Sequence, residues 1–164
     1  MISKILFLVF TAALFIVPMC LYKSRKSFMA KFYLRMTAQA TARKFYRMVL
    51  LIILLSFHFL YLSVQFVPID LLLSTLLIAA FYMKLDADRC LHALHEKRKA
   101  FCVVAIITLA FALTTHLYTT AVTLAFILLA AMFYPSREVL DYWDNDNDRK
   151  VLLESPDLLY ELYY

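Results

Sequence analysis

Long apolar runs separated by short charged segments make up most of this chain. Residues 5–22 form the first run, and residues 48–67 and 71–83 form two more. The run at 101–134 is the longest, with 34 residues and no Asp, Glu, Lys or Arg. A transmembrane helix needs about 20 predominantly apolar residues, so this pattern predicts helices that cross a membrane.

The longest run is too long for one crossing. As a single helix it would measure about 51 Å, whereas the hydrocarbon core of a bilayer is about 30 Å thick. Its most polar part is TTHLYTT, at residues 114–120, where His116 and Tyr118 have interfacial character. We therefore expect a tight helical hairpin here. One long tilted helix, which would give four crossings and export the tail, is the alternative.

The same shape recurs at residues 48–83, where two apolar arms flank VPID. The predicted fold is therefore an all-α, multi-pass membrane protein of about five transmembrane helices: one N-terminal span and two helical hairpins. The N-terminal run also has the length of a signal peptide, but its VPMC sequence does not resemble a cleavage site. The predicted segments are a first span at 1–22, a basic cytoplasmic segment at 23–47, a hairpin at 48–83, a cytoplasmic loop at 84–99, a second hairpin at 100–134 and an acidic tail at 135–164.

Composition agrees with this class and excludes others. Hydrophobic residues make up 64% of the 164 residues and charged residues 18%, while soluble domains are nearer half and a quarter. Glycine is absent, which excludes Gly-rich nucleotide loops and GxxxG packing seams. The three cysteines have no motif spacing, so no disulfide framework is implied.

Charge is distributed unevenly, and this predicts the orientation. Residues 23–47 contain eight Lys or Arg and no acid, whereas residues 135–164 contain eight Asp or Glu and three Lys or Arg. With five crossings, both segments and the loop at 84–99 share one side. The positive-inside rule places that side in the cytoplasm and the N-terminus outside, in a bacterial inner membrane or its eukaryotic equivalent.

The basic segment predicts an amphipathic helix over residues 28–42, lying on the anionic cytoplasmic leaflet. A linker packed on the bundle is the alternative. Nucleic-acid binding is not expected, because the position beside the membrane accounts for the basic charge. The residues predicted to face lipid or a partner are Phe28, Phe32, Met36, Lys31, Arg35, Arg43, Lys44 and Arg47.

The acidic tail is predicted to dock partners. Its last helix should begin at Pro156, with Ser155 as N-cap and Asp157 in the first turn. We also expect the tail to rest on the basic helix of its own chain until a partner competes. Its predicted apolar contacts are Tyr142, Trp143, Leu158 and Leu159.

Two polar clusters raise the question of metal binding, which the sequence leaves open. Cys90, His92 and His95 lie close together in the loop at 84–99, and Asp88 or Glu96 could complete a coordination set. The order HxxHE is not the HExxH motif of metalloproteases. Asp144, Asp146 and Asp148 have the spacing of an EF-hand loop. That pattern fails at Arg149, where glycine is required, and at Ser155, where a bidentate Glu is required.

Ionisable groups inside a membrane mark function by default, and they are scarce here. His58 lies at mid-span beside Ser56, and Asp70 is expected at an outer turn. The sequence contains no recognisable set of catalytic residues and no cofactor-binding motif, so we do not expect an enzyme. The leading hypothesis is a small accessory or scaffold subunit of a larger membrane complex. A homo-oligomeric channel or transporter is the alternative, and a membrane metalloenzyme ranks third.

Overall fold

The computed structural model describes residue 13 and residues 15–62, 68–81, 86–114 and 116–163. In these ranges all regular structure is helical, which confirms the all-α class. Residues 15–21 are helical, but most of the first predicted span, at residues 1–12 and 14, lies outside the described residues. The longer helices are α1 (Ser27–Ala38), α2 (Ala40–Leu62), α3 (Pro68–Ala79), α4 (Ala87–Glu96), α5 (Arg98–Ala112), α6 (Tyr118–Met132), α7 (Arg137–Asp144), α8 (Asp146–Glu154) and α9 (Pro156–Tyr163).

Two stretches are long and apolar enough to cross a membrane. One is α2, with 23 residues and a mean hydropathy of 2.0 over its most apolar 18-residue window. The other is Tyr118–Asp144, with 27 residues and a mean hydropathy of 1.6 over the corresponding window. It joins α6 to α7 across residues 133–136, where Pro135 lacks a backbone donor and the regular helix is interrupted. Helix α3 is apolar but has only 12 residues.

The longest apolar run divides at its polar section, as predicted. Helix α5 ends at Ala112 and α6 begins at Tyr118, and the two helices pack on each other. Helix α6 also contacts α2, α3 and α4, so it is the central helix of the bundle. Ten of its 15 residues are buried.

The predicted amphipathic helix is shorter than expected. It ends at Ala38, because Gln39 adopts an extended conformation with φ −129° and ψ 116°. The Arg43 guanidinium donates hydrogen bonds to the carbonyl oxygens of Met36 and Thr37, at 2.8 and 3.1 Å. These carbonyls at the end of α1 would otherwise lack partners, so Arg43 stabilises the bend between α1 and α2.

The tail folds back onto the bundle as three short helices. Helix α9 begins at Pro156, which confirms the predicted terminal helix. Ser136 caps α7 by accepting a hydrogen bond from the Val139 backbone N–H. The larger of the two hydrophobic clusters joins α1, α4 and the end of α6 to all three tail helices.

Candidate functional site

A buried carboxylate lies at the end of the bundle opposite the tail. Asp70, in the first turn of α3, is only 1% exposed. Its Oδ2 accepts a hydrogen bond from the Thr119 backbone N–H at 2.8 Å. Its Oδ1 accepts from the backbone N–H and the hydroxyl of Thr120, at 2.9 and 2.7 Å. Asp70 therefore caps the N-terminus of α6 from a different helix.

This cap has a clear electrostatic basis. The first N–H groups of a helix have no partner within the helix, and the N-terminus carries a partial positive charge. Leu117 precedes α6 and provides no side-chain hydrogen bond to it. A carboxylate from α3 supplies the missing acceptors, and charge-assisted bonds of this kind are about twice as strong as neutral ones.

A series of buried hydroxyl groups extends from this cap toward His58. The Thr119 hydroxyl lies 3.4 Å from that of Ser74, and the Thr123 hydroxyl donates to the Thr119 carbonyl at 2.8 Å. His58 Nε2 lies 3.4 Å from the Thr123 hydroxyl, and His58 Nδ1 lies 2.9 Å from the Leu54 carbonyl. These contacts tie α2 and α3 to the same face of α6, so the series positions helices.

The second cluster of functional interest is where the tail docks on α1. Tyr33 of α1 is fully buried, with its ring centroid 4.5 Å from that of Tyr163 and 5.7 Å from that of Tyr160. The Tyr163 hydroxyl donates to the Phe133 carbonyl at 2.9 Å. The described contact between the tail and α1 therefore includes a cluster of aromatic rings. The Arg25–Asp157 ion pair, at 3.7 Å, is exposed on both sides.

His95 joins the central helix to the last tail helix. Its Nδ1 lies 2.9 Å from the Ala131 carbonyl oxygen, and its Nε2 lies 3.1 Å from the Tyr163 carbonyl oxygen. Both partners only accept hydrogen bonds, so a doubly protonated ring satisfies both contacts and a neutral ring satisfies one. Nearby, the Tyr134 hydroxyl donates a hydrogen bond to the Asp88 carboxylate, and the Arg47 guanidinium forms an ion pair with the same carboxylate at 3.4 Å.

The structure separates the residues considered for metal binding. His92 is buried edge-on against the Tyr134 ring, with centroids 4.9 Å apart, and burial lowers its pKa. Burial also raises the pKa of the Cys90 thiol, which disfavours the thiolate that binds metals. In the described part of the chain, no three His, Cys, Asp or Glu side chains are placed to hold a metal ion.

The three tail aspartates lie at the junction of two helices. Asp144 ends α7, and Asp146 and Asp148 are in the first turn of α8. Asn145 caps α8 between them, and Asp146 pairs with Arg149. Acidic residues in a first turn stabilise a helix through its dipole, so helix formation accounts for this spacing.

The predicted lipid- or partner-facing residues occupy different environments. Phe28, Lys31, Arg35 and Lys44 are exposed. Phe32 packs partly against the larger cluster, and Met36 is a core residue with 1% exposure. Arg43 caps α1, and Arg47 pairs with Asp88.

The predicted tail contacts also divide between the core and the surface. Leu159 is buried, and Leu158 and Trp143 pack partly against the larger cluster. Tyr142 is exposed. Of the predicted polar intramembrane residues, His58 is buried and Ser56 is exposed, with the Ser56 hydroxyl bonded to the Ile52 carbonyl.

Sequence reasoning missed the pairing of Asp70 with Thr119 and Thr120. A signal was present, because Asp70 is the first acidic residue in the chain and lies between two apolar arms. The threonine pair follows Tyr118 in the first turn of the apolar helix α6. No protein-family model matches this chain, and neither does any curated protein or solved structure.

Proposed function

We propose that this protein is a five-span membrane protein that acts as a small accessory or scaffold subunit of a larger membrane complex. The observation that carries the membrane part is the exposed apolar surface of α2. Large exposed side chains recur there every three or four residues, at Phe45, Met48, Ile52, Leu55 and Phe59. Soluble monomers rarely expose apolar patches larger than a few hundred Å², so lipid is the natural solvent for this face.

Two further helices present similar faces. Ile69, Leu72 and Leu76 are exposed on α3, and Val103, Ile106 and Leu113 lie on α5 or just beyond it. Helix α6, which all three contact, is mostly buried. An apolar exterior around a packed, partly polar interior is expected of a helical bundle in lipid.

The ends of the bundle support the proposed topology. The basic segment, the loop helix α4 and the tail pack together at the C-terminal end of α6. The opposite end contains Asp70, with the Tyr61 and Tyr118 rings 5.2 Å apart on neighbouring helices. Tyrosines are enriched at membrane interfaces. We place the basic end in the cytoplasm and the Asp70 end outside.

Helices α3 and α5 are short for complete crossings. The 15 residues of α5 span about 22 Å, against a core of about 30 Å. Local bilayer thinning accommodates short spans, as do flanking cations that extend to the headgroups. Arg98 and Lys99 are exposed at the start of α5 and suit this role.

The scaffold part of the proposal rests on the tail. It is folded onto the bundle, yet Tyr142, Val151 and Leu153 remain exposed. These apolar side chains lie on the proposed cytoplasmic side, where lipid does not cover them. A subunit partner is the occupant that would bury them.

Topology is tested first, by cysteine-accessibility labelling in a cysteine-free background. A cysteine at exposed position 116 should be labelled from outside, and one at exposed position 144 from inside. Labelling of position 144 from outside would contradict five crossings and favour four.

Partner docking is tested by affinity purification from native membranes. The double substitution Val151→Asp/Leu153→Asp should abolish co-purification of a hetero-complex. The matched control is Lys150→Glu, which changes the charge of the same helix by the same amount and removes no apolar surface. A homogeneous homo-oligomer that conducts ions would instead establish the channel alternative.

A further inference from the structure

A cleft of about 620 Å³ lies between α1 and α2, across the bend at Gln39. Its volume falls in the range of small-molecule pockets, roughly 300–1,000 Å³. One face of each helix lines it: Phe32, Arg35 and Met36 come from α1, and Ala42, Phe45 and Tyr46 from α2. The lining is therefore largely apolar, with a cation on one side.

The inner wall of the cleft is held in place by the bundle. The Phe32 and Tyr46 rings meet edge to face, with centroids 5.8 Å apart. The Tyr46 hydroxyl lies 3.4 Å from the Leu129 carbonyl of α6, and Phe32 also packs against Phe133. A wall anchored to the central helix is already formed before a ligand arrives, which lowers the entropy cost of binding.

Positive charge lies on the α1 side of the cleft. Arg35 lines it and Lys31 lies one turn earlier on α1; both side chains are exposed. Among the described residues, neither of these two cations takes part in an ion pair. The whole segment 23–47 contains no acid. An anionic group would find complementary charge here.

The apolar lining continues along α2. Phe45 lines the cleft and also begins the exposed series that continues through Met48, Ile52 and Leu55. The cations precede the apolar run of α2, so the cleft lies where a spanning helix would leave the headgroup region. A ligand that combines an anionic head with long hydrocarbon chains matches both parts of this surface.

We propose that the cleft binds one anionic glycerophospholipid. Its phosphate contacts Arg35 and Lys31, and an acyl chain enters between Phe45 and Ala42 and follows α2 into the bilayer. This inference rests on the proposal that α2 crosses the membrane.

The test uses the full-length protein in mild detergent, with bound lipid counted by native mass spectrometry. Phosphatidylglycerol and phosphatidylcholine with identical chains are the two probes. We expect one phosphatidylglycerol retained per chain, in preference to phosphatidylcholine. A cation near an anionic headgroup contributes a factor of about five in affinity, so Arg35→Gln should reduce retention about fivefold. Ala42→Trp should fill the cleft and reduce retention further.

Two matched controls locate the effect. Lys150→Gln removes an exposed cation of the tail helix α8, and Ala110→Trp adds the same bulk to an exposed position on α5. Both variants should retain the lipid as the wild type does. Equal losses in the controls, or equal retention of the two lipids by the wild type, would overturn the proposed site. Competition by soluble glycerol phosphate would also overturn it, because it would show an anion site without an acyl chain.

Alkaline extraction of membranes separates this inference from the proposed function. A chain that resists extraction but shows no lipid preference disproves only the cleft site. A chain released by alkali contradicts membrane insertion, and the lipid site fails with it.

Discussion

Helices α2 and α6 have similar hydropathy but opposite surroundings. In the most apolar window of α2 only 17% of the residues are buried, against 78% in the window that contains α6. Large aliphatic and aromatic side chains dominate α2, whereas α6 is rich in Thr and Ala, including Thr119, Thr120 and Ala131. Small residues let neighbouring backbones approach closely, and hydroxyls supply hydrogen bonds between helices. Side-chain size and hydroxyl content, rather than hydropathy, distinguish the central helix from the peripheral one.

The largest expected effect comes from removing the cap on α6. Asp70→Ala leaves two buried backbone N–H groups without acceptors, which should cost about 3–5 kcal/mol in the free energy of unfolding. Denaturation by SDS in mixed micelles measures it. Asp70→Asn keeps one acceptor oxygen and should lose less. A loss below about 1 kcal/mol for Asp70→Ala would show that α6 does not depend on this cap.

Neighbouring leucines on α2 should respond very differently. Leu54 is 3% exposed and faces the smaller cluster around Phe126, whereas Leu55 is 49% exposed. Leu54→Ala should therefore destabilise the protein by about 2–4 kcal/mol through a cavity. Leu55→Ala should change stability by less than about 0.5 kcal/mol. Equal effects in the same micelle assay would mean that both faces of α2 are packed.

The aromatic contact between the tail and α1 gives a smaller effect. Tyr163→Phe keeps the ring beside Tyr33 but removes the hydrogen bond to the Phe133 carbonyl, a loss of about 1 kcal/mol. Hydrogen exchange of the α9 amides should then be roughly fivefold faster. Tyr142→Phe is the control, because Tyr142 is exposed. Unchanged exchange in Tyr163→Phe would contradict the docked tail.

Acidification should weaken the same end through His92. Burial lowers its pKa from 6.5; the backbone hydrogen bond to Pro135 and the charges of Glu96 and Asp88 oppose this, and Arg137 adds to it. Below about pH 6.5 the unfolded chain then binds more protons than the folded chain, so stability falls as pH falls. The loss between pH 7.5 and 5.5 should be smaller in His92→Gln than in the wild type. An unchanged loss in the variant would exclude His92 as the cause.

Several features could be predicted because their causes are local. Ser155 followed by Pro156 is a local signal for the start of a helix, and α9 begins at Pro156. The polar section around His116 ends one helix of the longest run and precedes the next. The bend at Gln39 could not be predicted from periodicity, because Arg43 reaches back seven residues to stabilise it.

The sequence by itself determined the helical class, the apolar character of the helices and the uneven distribution of charge. The periodicity of hydrophobic residues, and the free energy of moving a segment from water into lipid, both depend on short stretches of sequence. They can therefore be predicted from the order of the residues. Only the tertiary structure decided that α6 is central, that Met36 is a core residue and that Asp70 caps a helix 49 residues away at Thr119. The physical reason is that a helix that is apolar on every side has no preferred inward face until its neighbours are in place.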